Sequence, residues 1–494
     1  MKAYSTFAAV DLGSNSFRLQ IARVVDDQIY PLDSLKDTVR LGAGLDANNM
    51  LEQETCERAL ASLGRFGERL RGLPRGAVRA VGTNTFRVAK NAQEFLQQAE
   101  AALGFPIEIV AGREEARLIY LGVSHGLPPS QGKRLVVDIG GGSTEFIIGA
   151  GLDPQRMESL YMGCVSYSQR YFPDGKINKS ALRQAELAAR AEVQAIAAEF
   201  SAEHWQQAIG SSGTARALAE ILQMNGYCDS GITPEGLSRL REAMLKAGDC
   251  GKLQLAGLRP DRVPVLAGGF AIMAAIFAEL DISRMGVSDS ALREGLLYDL
   301  LGRFTQHDMR ETTVNQFMRR YQVDTGQARH VEHFGSGLLR QLADVQTLDS
   351  DTALQRFSWA ARLHEIGLSI AHSGFHKHSA YIVEHADMPG FSKKEQALLA
   401  RLILAQRGSL GKVALLLQDA EFRAQILALR LAVLFYRSRM DFALPEIRLC
   451  GHSASFEIAL SKDWLSRNPL TETALENEAK EWKSAGMKLE VSGT

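Results

Sequence analysis

Cysteine is scarce in this 494-residue sequence: Cys56, Cys164, Cys228, Cys250 and Cys450 are scattered, and no two form a C-x-x-C pair. That argues against a disulfide framework and against a zinc site, and it fits a reducing compartment. Net charge is lacking too, since 56 Lys and Arg against 57 Asp and Glu leave −1 at pH 7. A neutral chain has no global attraction for a polyanion, so any basic surface for one must be local, and no nucleic-acid partner is expected. Long apolar runs are missing. The longest uncharged stretch, 263–278, contains Pro264, Gly268 and Gly269 and falls short of the roughly 20 residues a membrane span needs. The first residues show no charged-then-apolar leader pattern, and the expectation is a cytoplasmic protein without a membrane span. No G-x-x-x-x-G-K-[ST] occurs, which removes the P-loop reading.

What the sequence does have is a repeat. Asp11-Leu12-Gly13-Ser14-Asn15-Ser16 and Asp138-Ile139-Gly140-Gly141-Gly142-Ser143 both read D-[LI]-G-x-x-S. Each follows one apolar run (7–10 and 135–137) and precedes another (17–24 and 146–148), so each is the turn of a β-hairpin. Glycine at such a turn permits positive φ and lets backbone N–H groups, as at Gly141 and Gly142, approach an anion. Hydroxyls add donors, and the aspartate can hold a cation. For one copy a plain turn is the simpler reading. Two copies in matched strand contexts point instead to a duplicated fold with a duplicated phosphate grip. The triple glycine opens a strand, not a helix, which also sets aside a dinucleotide-binding turn.

The elements around the loops repeat as well. Strands are expected over 6–10, 16–25 and 28–36, a helix over 52–70, a strand over 78–82, a helix over 86–103, a strand over 107–110 and a helix over 114–123. The second round has strands over 135–138, 144–149 and 159–163, a helix over 179–200, a strand over 207–209, and helices over 214–223, 234–245, 270–280 and 290–301. Two meanders, each completed by helix–strand alternation, imply two α/β lobes with a cleft between them. Beyond 302 the pattern turns polar, and 314–423 is nearly all helical in periodicity. That stretch holds seven of the eleven histidines (His330, His333, His364, His372, His376, His378, His385). A helix over 424–437, strands over 446–450 and 455–460, a helix over 471–484 and a strand over 488–491 form a small α+β tail. Length suggests about three or four domains, divided as 1–127, 128–301, 302–423 and 424–494.

With Gly112-Arg113-Glu114-Glu115-Ala116-Arg117-Leu118, the two loops resemble the exopolyphosphatase and guanosine pentaphosphate phosphohydrolase family. The resemblance extends through Met162-Gly163-Cys164-Val165-Ser166, Ser211-Ser212-Gly213-Thr214, Ala291-Leu292-Arg293-Glu294-Gly295 and Leu363-His364-Glu365-Ile366-Gly367-Leu368, nearly the whole chain. It implies an α/β fold of two ribonuclease-H-like lobes, as in actin, sugar kinases and heat-shock chaperones, with an interlobe cleft. An all-helical HD-like domain and a small α+β C-terminal domain would follow. The activity implied is Mg2+-dependent (or Mn2+-dependent), processive removal of the terminal phosphate of inorganic polyphosphate. The sister activity takes the 5′ γ-phosphate from guanosine pentaphosphate (pppGpp) to leave ppGpp. The runs from Tyr161 to Tyr167 and from His372 to Tyr381 resemble the exopolyphosphatase branch more closely. The family also implies a homodimer. A nucleotide-binding kinase or chaperone-like protein on the same fold is a third reading. Gly268-Gly269 stands where ATP-binding relatives grip adenosine, although the small apolar run after it reads equally as a buried helix packed through glycine.

Phosphoanhydride hydrolysis needs a water, a group to deprotonate it, a cation and donors to the transferred phosphoryl. Glu115 begins a helix just after the strand ending at Val110, at the sheet edge where α/β clefts bind ligands, and it matches the family's proposed general base. Glu114 is its rival, because successive helical residues point about 100° apart and only one can face the cleft. An acidic first turn against the helix dipole is the plain alternative for the pair, and Arg117 is spaced to pair with Glu114. Asp11 and Asp138 are the expected cation partners, and Glu145 is a further carboxylate for metal or catalysis, a sparse set that suits magnesium. For Asp11 the plain alternative is an Asx-type turn. Ser14, Asn15, Ser143 and Thr144 can donate to phosphate oxygens. So can Ser212, Gly213 and Thr214, in a third loop that follows a strand and opens a helix. Arg87 matches a family position expected to contact phosphate; a helix-surface arginine is as good a reading. In the HD-like region the parent's metal-binding His-Asp pair is His364-Glu365, whose longer stem shifts the carboxylate and favours a structural, metal-free domain.

Overall fold

The computed structural model describes residues 4–25, 28–128, 130, 132–304, 308–343, 350–440, 444–452 and 454–493. The chain divides into two units, Met1–Met309 and Arg310–Thr494. In the first, β1 (Thr6–Leu12), β2 (Phe17–Val25), β3 (Gln28–Asp37), β4 (Val78–Gly82) and β5 (Ile107–Ile109) form a sheet in the order β3-β2-β1-β4-β5. β2 runs antiparallel to β1 and β3, while β1, β4 and β5 are parallel. A second sheet repeats that path with β6 (Arg134–Ile139), β7 (Thr144–Ala150), β8 (Asp153–Leu160), β9 (Gln207–Ser211) and β10 (Met285–Val287), in the order β10-β9-β6-β7-β8. These are the two ribonuclease-H-like lobes.

Hairpins join the antiparallel strands, whereas the parallel pairs require helical crossovers. In the first lobe these are α1 (Gln53–Leu70), then α2 (Asn84–Val88) and α3 (Ala92–Leu103), with α4 (Gly112–Gly126) leaving β5. In the second, α5 (Cys164–Tyr171), α6 (Lys179–Gln194) and α7 (Ala197–Phe200) precede β9. α8 (Ser212–Met224), α9 (Pro234–Ala247) and α10 (Leu266–Glu279) lead to β10, and α11 (Leu292–Phe304) follows it. Strand alternation assigns the two faces of each sheet. Val10 and Leu19 pack with Leu63, Phe66 and Phe95 of α1 and α3, and Val137 and Phe146 pack with Ala185, Leu218 and Ile272 of α6, α8 and α10. Their neighbours Phe7, Ala9 and Val81, and Val136, Ile147 and Ile209, share one core with Ile119, Val123, Leu296 and Leu300. So α4 and α11 serve the inner faces of both sheets.

Three local expectations are corrected, and one strand, β10, is not among those expected. The strand over 159–163 is β8, Asp153–Leu160, and Met162 and Gly163 lead instead into α5. β8 is a sheet edge with three of its eight residues exposed and none buried, so it carries no apolar run to mark it. The helix over 179–200 breaks between α6 and α7, and the helix over 86–103 is really α2 and α3. β10 is three residues long, too short for a periodic signal.

The second unit contains α12 (Met309–Arg320), α13 (Thr325–Ala343), α14 (Ser350–Leu363), α15 (Phe375–His385), α16 (Lys393–Ala405) and α17 (Ala420–Phe435). After α17 come β11 (Arg448–His452), β12 (Ser455–Leu460), α18 (Lys462–Arg467), α19 (Pro469–Ser484) and β13 (Lys488–Gly493), with the sheet ordered β11-β12-β13. One core serves helices and sheet: Ile426, Leu429 and Phe435 of α17 join Phe357 on one side and Phe456 and Trp482 on the other. Among the described residues no helix is long and apolar enough to cross a membrane.

Candidate active site

Asp11 lies at the end of β1, opposite Arg18 of β2 and beside Val81 of β4. Asp138 holds the same place in β6, opposite Glu145 and beside Ser211. Both aspartates are therefore strand residues, which leaves no room for the Asx-turn alternative. The loop glycines also act differently from expectation. None of Gly13, Gly140, Gly141 and Gly142 needs a positive φ. They are required for closeness: a Cβ on Gly141 would lie 2.9 Å from Ser14 Cβ and 3.1 Å from Asn15 N, and one on Gly142 would overlap the Asn84 side chain. The two loops thus touch across the duplication. In the third loop Ser212, at φ 73°, turns β9 directly into α8. A left-handed non-glycine residue costs about 1–3 kcal/mol and is often found at functional sites.

These loops and the first turns of α4 and α11 enclose a cavity lined by Asp11, Ser14, Asn15, Glu115, Asp138, Gly141, Gly142, Ser143, Ser212, Gly213 and Thr214. Arg87, Thr144 and Glu145 fall outside its lining. Arg87 donates to Glu115 Oε2 at 2.8 Å and to the Val110 carbonyl at 3.0 Å, so it holds the candidate base. The Thr144 hydroxyl donates to the Met162 carbonyl at 2.6 Å, and Glu145 accepts from Ser159 Oγ at 2.8 Å. Ser212 and Thr214 hydroxyls both donate to the Ile139 carbonyl at 3.0 Å, which leaves the backbone N–H groups of the α8 first turn to face an anion. Ser14 Oγ accepts from Thr85 at 2.7 Å, and its own proton is free to donate. The rivalry on α4 resolves by partner. Glu114 is gripped by both arms of Arg117, at 2.8 Å each, and Glu115 alone of the two lines the cavity.

The carboxylates crowd one another. Burial, with Glu115 and Asp138 nearby, pushes Asp11 up to about 7 in spite of Arg18 and Arg293. Burial pushes Asp138 up to about 6, and burial with the charges of Glu115 and Asp138 holds Glu145 well above the carboxylate range. Glu145 Oε2 and Asn15 Oδ1 are buried without a hydrogen bond. A divalent cation fits such a surplus of negative charge. Among the described residues no three His, Cys, Asp or Glu side chains form a ready cage, so the fit is to an ion that keeps waters and phosphate oxygens, as magnesium does.

Four arginines complete the lining, none of them named by the sequence as site residues: Arg18, Arg216, Arg262 and Arg293. Burial and then the charge of Arg293, with Arg216 and Arg262 behind it, bring Arg18 down to about 10. Four half-buried guanidinium groups facing one cavity are the kind of lining an anion fits. Asn84 adds a buried amide nitrogen that bonds nothing in the protein. Arg18 opposite Asp11 and Arg216 on the turn after Thr214 were within reach of the motifs; Arg262, in a loop between α9 and α10, carried no signal.

Facing loops, buried carboxylates and an arginine wall in one cavity define a two-lobed enzyme that handles phosphoryl groups. Residues 20–304 match the Ppx/GppA phosphatase family and residues 309–479 match Ppx/GppA phosphatase, domain III; the chain belongs to this family. It is a phosphatase, a hydrolase acting on phosphoanhydrides. Solved structures agree. An exopolyphosphatase-like protein is 25% identical, with TM-score 0.55 over 61% of this chain and 98% of its own. An exopolyphosphatase from Cytophaga hutchinsonii is 25% identical, with TM-score 0.55 over 60% and 98%. The Aquifex aeolicus family member shares the fold at 24% identity, with TM-score 0.50 over 61% and 98%.

Two other sequence features find their place. Gly268 and Gly269 are buried, and Cβ atoms there would strike Ser168 and Cys164 of α5 and Thr214 of α8, so this pair packs a helix. In the second unit Glu365 Oε1 accepts from Arg439 Nη2 at 2.5 Å, so the chain's own arginine neutralises that carboxylate, while burial lowers the pKa of His364.

Proposed function

We propose that the chain is a Mg2+-dependent exopolyphosphatase that trims inorganic polyphosphate from its end, processively. The observation that carries this reading is one cavity that brings together carboxylates (Asp11, Asp138, Glu115, with Glu145 beside it) and arginines (Arg18, Arg216, Arg262, Arg293). A polyanion that arrives with a divalent cation satisfies both sets of charges at once. Asp11 and Asp138 would hold that cation, which neutralises charge on the phosphate oxygens. Glu115, fixed by Arg87, accepts the proton of the attacking water. The arginines and the backbone N–H groups of the facing loops take up the charge on the phosphoryl in flight, which is where such enzymes gain most. The similarity to exopolyphosphatase structures supports the substrate class, and the family resemblance supports a cytoplasmic homodimer.

The pppGpp reading has one observation in its favour. A second cavity of about 410 Å3 shares Arg18, Gly213, Arg216 and Arg262 with the first and adds Lys36, Arg259 and Met224, so it has room for a guanosine as well as for further phosphates. Phosphate release by the purified protein from long polyphosphate, short polyphosphate and pppGpp, in parallel, tests both. Faster turnover of long polyphosphate supports our reading, and turnover of pppGpp alone overturns it.

A further inference from the structure

Helix α4 carries Glu115 on its first turn, and that turn has little of its own to hold it. Ala111 at the N-cap makes no side-chain capping bond, and the helix begins at Gly112. Uncapped N–H groups and a flexible glycine let a helix end fray. Yet Glu114 and Glu115 are both buried there. The restraint comes from outside the helix. Arg117, which grips Glu114, also donates to Asp299 Oδ1 on α11. Asp299 Oδ2 accepts from Arg79 of β4 at 2.5 Å and from Arg303 at 3.3 Å, and Arg79 reaches Glu108 of β5 at 3.1 Å. Arg79, Arg117 and Arg303 so balance Glu108, Glu114 and Asp299. Asp299 is the member that all three arginines share, and it is 8% exposed.

The same helix pair reaches the far wall of the cavity. The start of α11 lines it with Leu292 and Arg293. Just beyond, the two helices meet backbone to backbone: a Cβ on Gly122 would run into the Ala291 carbonyl, and one on Gly295 into that of Leu118. Gly112 packs on Ser159, the donor to Glu145, so the first turn of α4 is pressed from that side too. Glu114 and Glu115 project about 100° apart from one rigid turn. Whatever sets the rotation of Glu114 therefore sets the direction of Glu115.

We propose that Asp299 is a positioning residue of the phosphoanhydride site. Through Arg117 and Glu114 it locks the first turn of α4, and so the direction in which Glu115 meets water; through α11 it keeps Arg293 in register with that carboxylate. Asp299 touches no substrate. The inference rests on the hydrolysis reading given above. A part that only stabilises the fold would lower melting temperature and leave each folded molecule fully active. A positioning part lowers kcat per folded molecule, because small misplacements of a base are expensive while phosphate binding by Arg18 and Arg262 continues.

The test is steady-state phosphate release from polyphosphate by full-length wild type, Asp299→Asn, Glu114→Gln, the double variant and Asp299→Glu, with the folded fraction fixed by circular dichroism at the assay temperature. Each single neutral variant is expected to lose ~10-fold or more in kcat with KM within about twofold. The double variant should be no worse than the worse single, and Asp299→Glu should recover part of kcat. Unchanged kcat in folded Asp299→Asn, or losses that simply multiply in the double variant, overturns the proposal. Should Asp299→Asn fail to fold, Arg303→Gln, which removes the longest of the three contacts to Asp299, decides: lower kcat at unchanged KM supports the role, and unchanged kcat overturns it. A wild type that releases no phosphate from any anhydride overturns the hydrolysis reading and this inference with it, and that result is visible before any variant is compared.

Discussion

At the scale of single residues, the proposed function assigns some groups to holding phosphate and others to acting on it. Arg18 belongs to the first kind. It stands opposite Asp11 across the first hairpin and is depressed by burial and by its fellow arginines, a strain that an anion relieves. A hydrogen bond to a charged group is worth about 1.5–3 kcal/mol, so Arg18→Gln should raise KM for polyphosphate by roughly 10- to 100-fold with a smaller effect on kcat, measured by initial rates. An unchanged KM would remove Arg18 from the anion wall. Asp138 belongs to the second kind. Asp138→Asn keeps the shape and removes a charge, so the Mg2+ concentration at half-maximal rate should rise about 10-fold or more in a metal titration. Full activity of the wild type in excess chelator would sink the metal role outright.

At the scale of elements, the pair α4 and α11 decides both stability and geometry. Burial acts to raise the pKa of Asp299, but the guanidinium of Arg117, then those of Arg79 and Arg303, outweigh it and hold the carboxyl well below the usual range. A depressed carboxyl contributes stability in full above its unfolded pKa of about 4, and loses it as pH falls towards the folded value. Asp299→Asn breaks a buried network and should cost about 3–5 kcal/mol at pH 7 in denaturant unfolding. It should also flatten the loss of stability below pH of about 4, because the titrating group is gone. A variant whose acid unfolding curve parallels that of the wild type would show that Asp299 is not the group responsible. The same elements show what a sequence can and cannot carry. The hairpins around Asp11 and Asp138 were legible because buried strands bring apolar runs and the loop between them repeats. β8 was misplaced because an edge strand has no such run, and the role of the loop glycines was misread because closeness to Ser14, Asn15 and Asn84 is a tertiary fact. Arg79 and Asp299 lie 220 residues apart in the chain, and no local pattern announces their bond. Resemblance favours Glu115 over Glu114, and spacing alone pairs Arg117 with Glu114; that Glu115 and not Glu114 lines the cavity is visible only in the fold.

At the scale of the molecule, processive trimming as proposed requires a nearly neutral chain to hold a polymer after each cut, with the first unit's cavity gripping its end. The second unit offers more cations. Lys377, Arg407, Lys412 and Arg430 lie near one another; burial and the charges of the other three push Lys412 down to about 8, and the neighbouring His376, pushed down to about 4 by burial and the same four groups, is uncharged at neutral pH. Such a cluster is relieved by an anion, and we expect it to serve long chains. Two solved structures align over 98% of their own length with about 60% of this chain. A chain ended at Met309 should still cleave short polyphosphate, yet handle long chains distributively and with weaker, more salt-sensitive binding. Unchanged processivity on long chains would leave the second unit a packing role only.

The measurement closest to the central claim compares turnover and binding in Glu115→Gln, the variant that removes the base and leaves every arginine in place. General-base assistance is worth ~10²–10⁴ in rate, so phosphate release should fall by that factor while the Kd for polyphosphate stays within about twofold of wild type. Glu114→Gln, measured beside it, should be the milder of the two. Near-normal turnover in Glu115→Gln, or a loss of binding as large as the loss of rate, would contradict the proposed roles of Glu115 as the group that acts and of the arginines as the groups that hold.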